Sequence, residues 1–491
     1  MSQATVHVAT ALHAGADTRV REWAARRRMP IAIGAAVTLA VASGVVAGTA
    51  PPVVPAAVLI GVAAAICALR FATVAVGLVV AVIALLPFGV VPVRLGVAPT
   101  FLDFATALVW STWLARVATG RDRVRHPVII GAFGLFVALS AIAYIGSPDP
   151  IAPNETARAF AKAMTATLSV VPVAHLVSDR RAATVISGTI IGAASLEATA
   201  GLALYVVPRD LAYRALVALE PLGYPIGDSV IRYRPDTEIL RAIGTSIDPN
   251  MLGVLLMVAG AIGVATLLAP HPPWPRAVSA FALGPILACL LLTESRGSWL
   301  SFGAAVTAIA VMRHRRLWLV AIAGAIAVPF VPAAQRFTEH LISGLQAQDR
   351  AASMRLGEIS NAVTIISKAP WVGVGWGLGD RSIDLEFTRG VSNIYLALAQ
   401  RSGIPALGAY VVAWVATASV IWRGLIVTLR DRADDGIALG AASAVCGALA
   451  SGMVDHHFVS FPHLVSLLAI IAGVLIARTT RHQMGFVTVE A

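Results

Sequence analysis

The chain has 491 residues, of which 58% are hydrophobic and 13% are charged, and its mean hydropathy is +0.80. A water-soluble domain could not keep so many apolar side chains away from solvent, so the composition excludes an ordinary soluble protein and predicts a polytopic membrane protein. The net charge of +11 comes almost entirely from arginines spread between apolar segments, which points to membrane orientation and excludes nucleic-acid binding.

The N-terminal segment, residues 1–28, is polar and ends in three arginines, and the apolar stretch after it is as long as a full span. This order argues against a cleavable signal peptide and predicts a disordered cytoplasmic tail. Cys67, Cys289 and Cys446 lie inside apolar segments, so the sequence predicts neither a disulfide framework nor a metal site, and we expect no cofactor.

Apolar segments long enough to cross a bilayer recur along the rest of the chain. They predict an all-α, polytopic membrane helical bundle of about 14 transmembrane helices. A first set occupies residues 29–206, a second lies within 207–478, and 479–491 form a short cytoplasmic tail. The predicted spans are 30–49, 52–69, 71–92, 100–118, 128–146, 157–177, 183–206, 250–269, 278–294, 297–312, 317–333, 394–421, 437–453 and 463–478.

Arginines recur in alternate connections between these spans, as the positive-inside rule requires of cytoplasmic loops. This parity predicts that both termini are cytoplasmic. It also predicts two long extracytoplasmic loops, 207–249 and 334–394. Both loops are rich in arginine, against the bias, and we interpret this as a sign that the arginines meet an anion.

The larger of these loops belongs to a polar stretch, residues 332–395, in which no segment is long enough to cross a bilayer. Apolar residues recur in its middle at helical spacing while Arg355, Glu358 and Asn361 point elsewhere, which predicts a short amphipathic helix. We expect the chemistry in this cap over the membrane domain. The apolar positions are Leu356, Ile359, Val363 and Ile366.

The first outer loop ends with an arginine cluster, Arg232, Arg234 and Arg241, just before a span that begins around Asp248-Pro249. An aspartate followed by proline suits a helix start. Free backbone amides at a helix N-terminus and nearby guanidinium groups both bind oxyanions, so the cluster predicts an anion site. The alternative is that these arginines reach to lipid phosphates at the membrane surface.

Two further motifs lie at the predicted outer face. Glu294 and Arg296 beside Gly297 indicate a tight re-entry whose turn the glycine relieves, or only an interfacial ion pair. Residues 370–377 read PWVGVGWG, with no preceding strand, so a dinucleotide site is excluded. The glycines would allow a ligand to approach the backbone, while the tryptophans, among them Trp376, stack on sugar or lie at the bilayer interface.

Ionisable residues also occur inside predicted spans, namely Asp103, Lys162 and Glu197. Such groups are costly in hydrocarbon and usually face a polar interior. They form a structural pair, such as Lys162 with Asp103 or Glu197, or they line a path for a headgroup or a proton. In the last outer loop, the segment Asp455–His457 either closes over the site or is structural.

Taken in chain order, these motifs resemble the bacterial O-antigen ligase and O-antigen polymerase superfamily. They are R-x-x-G-T-x-x-x-P-N from Arg241 to Asn250, then S-R-G at Arg296, then a large loop with Arg355, P-W-V-G-V-G-W-G and S-N-I-Y-L-x-L. The resemblance covers residues 230–475. The N-terminal half resembles the family only in being a series of spans.

The resemblance implies a GT-C-like membrane glycosyltransferase at the outer face of the cytoplasmic (inner) membrane. Such an enzyme moves a glycan from a polyprenyl-diphosphate carrier to a hydroxyl of a glycan, glycolipid or protein acceptor, without metal or nucleotide. By position, Arg241 and Arg355 would contact the diphosphate and Arg296 would support the same site. The predicted substrate-binding set also includes Arg234, Asn250, Asn393 and Trp376.

One departure concerns the base that activates the acceptor. Many ligases have His-Asn where this chain has Ser392-Asn393, and a serine without a partner is no base at neutral pH. We therefore place Ser392 and Glu358 with Arg355 in the predicted catalytic set. Other candidate bases are His340, Asp380 and Asp248, while Arg355 and Glu358 could equally form a surface ion pair.

Two functional questions stay open at this point. A ligase and a polysaccharide polymerase share donor chemistry and differ in the acceptor. A transporter or flippase of lipid-linked sugars would also explain basic loops and ionisable groups in the membrane, but it predicts paired broken helices in two repeats. Proline interrupts spans at Pro285 and Pro329, without such a matching pair.

Overall fold

The computed structural model describes residues 70–91, 99–146, 154–177, 179–227, 230–233, 239–327, 350–376, 391–431 and 434–485, with a few positions besides. The chain divides into two compact units, Met1–Cys67 and Ala68–Ala491, and nearly all described residues belong to the second. Over the described residues the structure is helical, with two isolated β-bridges and no strand, which confirms the all-α expectation. The predicted span 30–49 and most of 52–69 lie outside them.

The helices of the described ranges are numbered here in chain order. They are α1 Ala72–Leu85, α2 Phe101–Ala118, α3 Pro127–Ile145, α4 Asn154–Leu168, α5 Val170–Leu176, α6 Arg180–Val206, α7 Arg209–Val217, α8 Pro249–Leu268, α9 Arg276–Leu292, α10 Arg296–Met312, α11 Leu317–Ala327, α12 Arg350–Lys368, α13 Ile394–Arg430, α14 Ile437–Ser451, α15 His457–Ser460 and α16 Pro462–Gly485.

Each predicted span from 71–92 onwards coincides with one of these helices or, for 157–177, with α4 and α5 together. Among the described residues, six helical stretches are long and apolar enough to cross a membrane: α3, α4 with α5, α6, α8, α13 and α16. Three more apolar helices, α1, α9 and α14, are shorter. The chain is therefore a multi-pass helical membrane protein.

Helix α8 is the centre of the bundle, and most of its residues are buried against α6, α9, α10 and α14. Small residues let these helices approach closely, as in other membrane bundles. A side chain at Gly253 would collide with Ser298 on α10, and one at Gly440 on α14 would collide with the α8 backbone at Ile262. Helix α16 packs against α5, α13 and α14, and α3 packs along α13.

A buried ionic cluster lies at one end of the bundle. Asp434 and Asp435 precede α14 and are almost fully buried. Asp434 binds Arg313 after α10 at 2.6 Å, while Asp435 binds Arg180 at the start of α6 at 3.1 Å and Arg478 on α16 at 2.9 Å. Arginines that were assigned to cytoplasmic connections therefore also join three helices to α14.

The chain directions of these helices show where the remaining loops lie. Helices α6 and α14 begin beside the ionic cluster, whereas α10 ends beside it. The C-terminal end of α6, the N-terminal ends of α8, α10 and α13, and the loop after α14 consequently share the opposite end. The arginine-rich connections and the last loop thus come together at one end of the molecule.

Two ionisable residues inside the predicted spans form a pair. Lys162 Nζ on α4 lies 2.8 Å from Asp103 Oδ2 on α2, and both side chains are half-buried. Asp103 also accepts a hydrogen bond from the Thr100 backbone N–H at 2.8 Å and so caps its own helix. The structural pair predicted for Lys162 is confirmed with Asp103, whereas Glu197 accepts hydrogen bonds from Thr245 in the loop before α8.

Candidate functional site

Arg241 is the residue around which the loop before α8 folds. Its backbone N–H donates to Arg232 O at 2.9 Å, and the bridge between Tyr233 and Leu240 brings the two arginines side by side. Its Nε donates to Thr293 O at 2.8 Å and its Nη2 donates to Asn250 Oδ1 at 2.7 Å. The family-like spacing from Arg241 to Asn250 is therefore a direct contact between the two side chains.

The Gly-Thr-Ser turn after Arg241 is hydrogen-bonded to the side chain of Glu197 on α6. The buried carboxylate accepts hydrogen bonds from Thr245 N at 2.7 Å, Thr245 Oγ1 at 2.9 Å and Ser246 N at 3.2 Å. Gly244 has φ of +55°, and a Cβ there would collide with Glu197 Oε1, so only glycine fits. Glu197 thus positions the loop that carries Arg241.

Asp248 ends this loop and caps α8. Its Oδ1 accepts from the backbone N–H groups of Asn250 at 2.8 Å and Met251 at 3.1 Å, which confirms the helix start predicted at this position.

Burial lowers the pKa of Arg241 to about 10; Asp248 and Glu294 oppose this effect, whereas Arg232 and Arg296 add to it. Three guanidinium groups and two carboxylates therefore lie near one another.

The S-R-G junction between α9 and α10 is a tight turn, but its geometry differs from the expectation. The residue with positive φ is Glu294, at +50°, and Ser295 caps α10 by accepting from Ser298 N. Gly297 lies within α10, and a Cβ on it would make only an ordinary contact at 3.5 Å, so the glycine does not relieve the turn. Arg296 is half-buried at this junction.

The predicted amphipathic helix is α12, and its polar residues face the bundle. Glu358 Oε2 accepts from the Ser392 backbone N–H at 3.0 Å, and Arg355 is half-buried. Among the described residues no ion pair joins Arg355 to Glu358, so the surface-pair alternative is wrong. Three of the predicted apolar positions are exposed, Leu356 by 58%, Val363 by 54% and Ile359 by 39%, whereas Ile366 is half-buried.

Asn393 joins the large loop to the last loop. Its Oδ1 caps α13 by accepting from Tyr395 N and Leu396 N, while its Nδ2 donates to Met453 O at 2.9 Å. Next to it, Ile394 N donates to Gly452 O at 2.8 Å. The predicted Ser392-Asn393 element therefore lies directly beside the loop that holds Asp455, His456 and His457.

The last loop contributes a buried acid–histidine pair within Asp455–His457, the segment predicted either to close over the site or to be structural. Asp455 Oδ1 lies 2.8 Å from His457 Nδ1. Burial opposes ionisation of Asp455, but the positive charges of His457, His456 and Arg355 hold its pKa at about 2. Burial lowers the pKa of His457, and Asp455 and Asp248 reverse this, so that its pKa lies above the ordinary value. In the sequence, the adjacent residues Asp455, His456 and His457 were the feature that could have indicated this pair.

Asp248 links the two halves of this region electrostatically. Its charge raises the pKa of Arg241, in the first loop, and that of His457, in the last loop. Arg355 acts on His457 and Asp455 from α12. Residues from four separate chain segments therefore surround the N-terminus of α8.

The tryptophan–glycine loop has a different environment from the one expected. Trp376 is 7% exposed, its Nε1 donates to Ser402 Oγ at 2.9 Å, and Arg401 lies over its ring at 5.3 Å. The structure thus places this indole in the core, away from both the bilayer interface and open solvent. Binding of a sugar by Trp376 would need the ring to leave this packing.

The two described glycines of this loop, Gly373 and Gly375, contact the backbone of α13. A Cβ on Gly373 would collide with Gln400 O, and one on Gly403, whose φ is +80°, would collide with Trp371 O. Val374 N donates to Gln400 O at 2.8 Å. The loop therefore fits against a break in α13 that the sequence did not predict.

The remaining predicted residues lie outside the described residues. They are Arg234, His340 and Asp380. Of the predicted site residues that the structure describes, Arg241, Asn250 and Arg296 share one neighbourhood, and Arg355, Glu358, Ser392 and Asn393 share the adjoining one.

Comparison with known proteins was made on sequence and on structure. No curated protein matches the chain. A solved structure described as "Structural coordination of polymerization and crosslinking by a peptidoglycan synthase complex" is similar to 72% of this chain and 97% of its own, at 18% identity and a TM-score of 0.40, which is too low to establish a shared fold.

A family model gives the informative match. Residues 280–411 match the model of the O-antigen ligase family. The matched range contains the S-R-G junction, α12 with Arg355, the tryptophan–glycine loop and the start of α13. Over residues 280–411, this match confirms the resemblance to the O-antigen ligase and O-antigen polymerase superfamily.

Proposed function

We propose that the protein is a membrane glycosyltransferase that moves a glycan from a polyprenyl-diphosphate carrier to an acceptor hydroxyl. The observation that carries the proposal is the gathering of Arg232, Arg241 and Arg296 near Asp248 at the N-terminus of α8. Asp248 and Arg355 both act on His457, and residues 280–411, which include Arg355, match the O-antigen ligase family. Ligase and polymerase activity are both compatible with this site. The acceptor is a glycan, a glycolipid or a protein.

The electrostatics of the cluster support an anionic ligand. Burial makes the charge on half-buried Arg241 harder to keep, Asp248 and Glu294 stabilise that charge, and repulsion from Arg232 and Arg296 works against it. A diphosphate carries several negative charges and planar oxygen edges that guanidinium groups bind in pairs. Binding such a group would relieve the repulsion, and it would stabilise the leaving group as the glycosidic bond breaks.

The proposal includes an orientation and a division of the chain. The site lies at the outer face of the cytoplasmic (inner) membrane, and both termini are cytoplasmic, as the alternating arginines predict. Residues 207–478 form the ligase-like domain, including the outer loops 207–249 and 334–394, and 29–206 supply N-terminal spans. Fixed arginines take the place of Mg²⁺, so the reaction needs neither metal nor nucleotide.

Reconstitution of the full chain in vesicles tests this function. A panel of synthetic polyprenyl-diphosphate oligosaccharides serves as donor and a panel of oligosaccharides and glycolipids as acceptor, with EDTA present throughout. The readout is sugar-free polyprenyl diphosphate together with a new glycosidic bond. We expect transfer by the wild type, loss of at least about 100-fold in Arg355→Ala, which removes transition-state charge stabilisation, and unchanged abundance.

The matched control is Arg316→Ala, because Arg316 lies near the ionic cluster at the far end of the bundle. This variant should transfer at the wild-type rate. Wild-type turnover in Arg355→Ala, or a strict need for a divalent metal, would contradict the proposal. Movement of the donor across the bilayer without a new glycosidic bond would favour the transporter alternative.

A further inference from the structure

The last outer loop carries a compact cluster that the arginine chemistry does not use. Asp455 Oδ1 accepts from the His456 backbone N–H at 2.8 Å and lies 2.8 Å from His457 Nδ1. The two imidazole rings stack with centroids 5.6 Å apart and planes 7° apart, and Phe461 packs beside both. The cluster is therefore a rigid unit with one carboxylate and two imidazoles.

His456 is the member of the cluster that faces outward. Its side chain is 26% exposed, against 5% for His457. Its Nδ1 is buried and lies 3.5 Å from Asp455 Oδ1 without a hydrogen bond among the described residues, so Asp455 holds His456 through the backbone N–H. Solvent reaches the ring from the side away from Asp455. That side carries Nε2, the nitrogen that could take a proton from a bound hydroxyl.

The charges around His456 come from the elements that build the candidate site. Asp248 faces it from the N-terminus of α8 and Arg401 from α13, and Asp455 and His457 lie on its own loop. Arg355 on α12 acts on Asp455 and His457. On α16, His463 is influenced by His457. The imidazole is thus next to the proposed diphosphate site and outside its arginine cluster.

We infer that His456 is the general base that activates the acceptor hydroxyl, with Asp455 as its positioning residue. The inference rests on the proposed function. As the acceptor oxygen forms its bond to the anomeric carbon, its proton passes to His456 Nε2. The bond from that carbon to the diphosphate oxygen breaks, and polyprenyl diphosphate leaves with the electron pair. The proton then returns to solvent or to the released diphosphate.

Burial keeps His456 in the neutral form that a general base needs, although a lowered pKa also weakens it as a base. Burial lowers the pKa of His456 to about 4, and His457 and Arg401 add to this while Asp455 and Asp248 oppose it. His456 is therefore neutral at pH 7 and able to accept a proton, whereas the raised pKa of His457 favours its charged form beside Asp455. A base that must be neutral gives a rate that falls as the pH drops towards about 4.

The test compares His456→Gln with His314→Gln, a histidine at the opposite end of the bundle, in the reconstituted transfer reaction. Glutamine keeps a polar side chain but cannot take up the proton. We expect kcat to fall by about 10²–10⁴-fold in His456→Gln, the usual contribution of a general base. The affinity of His456→Gln for sugar-free polyprenyl diphosphate should stay within about threefold of wild type. The fall of the wild-type rate at acidic pH should be absent from this variant, and His314→Gln should match wild type in all three measurements.

The remaining outcomes distinguish a failure of the base role from a failure of the glycosyltransferase function. A kcat within about threefold of wild type in His456→Gln would remove the base role and leave the glycosyltransferase intact. If His456→Gln and His456→Asn both lose donor affinity together with turnover, the residue holds the fold of the loop and takes no proton. If the wild type itself transfers no sugar, the proposed function has failed first.

Discussion

At the residue scale, the geometry of Arg241 shows how a structural arginine can also serve a ligand. A guanidinium has five N–H donors, and hydrogen bonds to Thr293 O and Asn250 Oδ1 use two of them within the described residues. The fork is thereby oriented and still has donors to offer. Asn250 acts on Arg241 and is best understood as a positioning residue.

Ser392 contributes to the site through its backbone. Its N–H donates to Glu358, and alanine has the same N–H. We expect Ser392→Ala to keep turnover within about threefold of wild type, because a change of that size is below what loss of a catalytic group causes. Steady-state kinetics of the reconstituted protein give the answer, with Glu358→Ala as the comparison that does break the contact. A severe loss in Ser392→Ala would mean that the hydroxyl itself has taken over the family histidine's role.

The raised pKa of His457 makes a pH-dependent contribution to stability. The contribution is fully present below the ordinary pKa of 6.5 and is lost as the pH rises through the higher folded value. His456, His126 and His314, which also lie outside the spans, have lowered pKa values, so their effects on stability occur at pH values below 6.5. Thermal unfolding in detergent should therefore show the gap between wild type and His457→Gln narrowing from pH 6.5 to 9. A constant gap would show that the pair gains nothing from protonation.

Local letters predicted the residues whose partners are near in sequence. The Asp248 cap and the Arg241–Asn250 contact involve spacings of at most nine residues. Glu197 and Thr245 are 48 residues apart, and Glu358 and Ser392 are 34 apart, so no pattern in the letters joins them. The Asp455–His457 pair is likewise far in sequence from Arg241 and Asp248, so the sequence does not show that Asp248 acts on His457.

At the element scale, α12 is an amphipathic helix with its apolar stripe turned outward. Arg355 and Glu358 are half-buried towards the bundle, while Leu356, Ile359 and Val363 are exposed. Periodicity predicts the stripe but not the side that meets the protein. We therefore expect α12 to lie in the membrane interface, with its apolar side towards the acyl chains and its charges towards the proposed site.

Spin labels on α12 test this placement. In a variant without the native cysteines, a label at position 359 should be accessible to oxygen, which partitions into lipid, and protected from a water-soluble nickel chelate. A label at position 360, where Ser360 is exposed on the next face, is the matched comparison and should be more accessible to nickel. Equal nickel accessibility at both positions would place the helix in water.

The break in α13 shows a second limit of prediction by element. Gly403 and Pro405 interrupt the helix where the backbone of the tryptophan–glycine loop crosses it. From sequence, the glycines at 373 and 375 were expected to let a ligand approach the loop backbone. In the structure the backbone of α13, at Gln400 and Arg401, contacts this part of the loop. Only the tertiary fold decides which group fills the space that a glycine leaves.

At the scale of the whole molecule, the described bundle has a buried ionic cluster at one end and the arginine-rich loops at the other. The order of spans and the clustering of the arginine-rich loops could be predicted from hydropathy and charge. The ionic cluster at the far end could not, because the positive-inside rule explains its arginines without giving them partners.

The far-end cluster should matter for folding and not for turnover. Arg478 is 12% exposed and Arg180 is 53% exposed, and both bind Asp435. We expect Arg478→Gln to cost about 3–5 kcal/mol, because it leaves a buried charge without its closest buried partner. Arg180→Gln should cost about 1 kcal/mol or less. Denaturant unfolding in mixed micelles measures both, and equal costs would contradict the assigned difference in burial.

The central claim is that Arg241 and Arg355 bind one diphosphate together. A double-mutant cycle with Arg241→Lys and Arg355→Lys, read as affinity for sugar-free polyprenyl diphosphate against polyprenyl monophosphate, tests it most directly. We expect the wild type to prefer the diphosphate by at least about tenfold, which is about 1.4 kcal/mol. Each single variant should lose that preference, and the double variant should lose little more. Equal affinity of the wild type for both lipids, or losses that simply add, would contradict a shared diphosphate site.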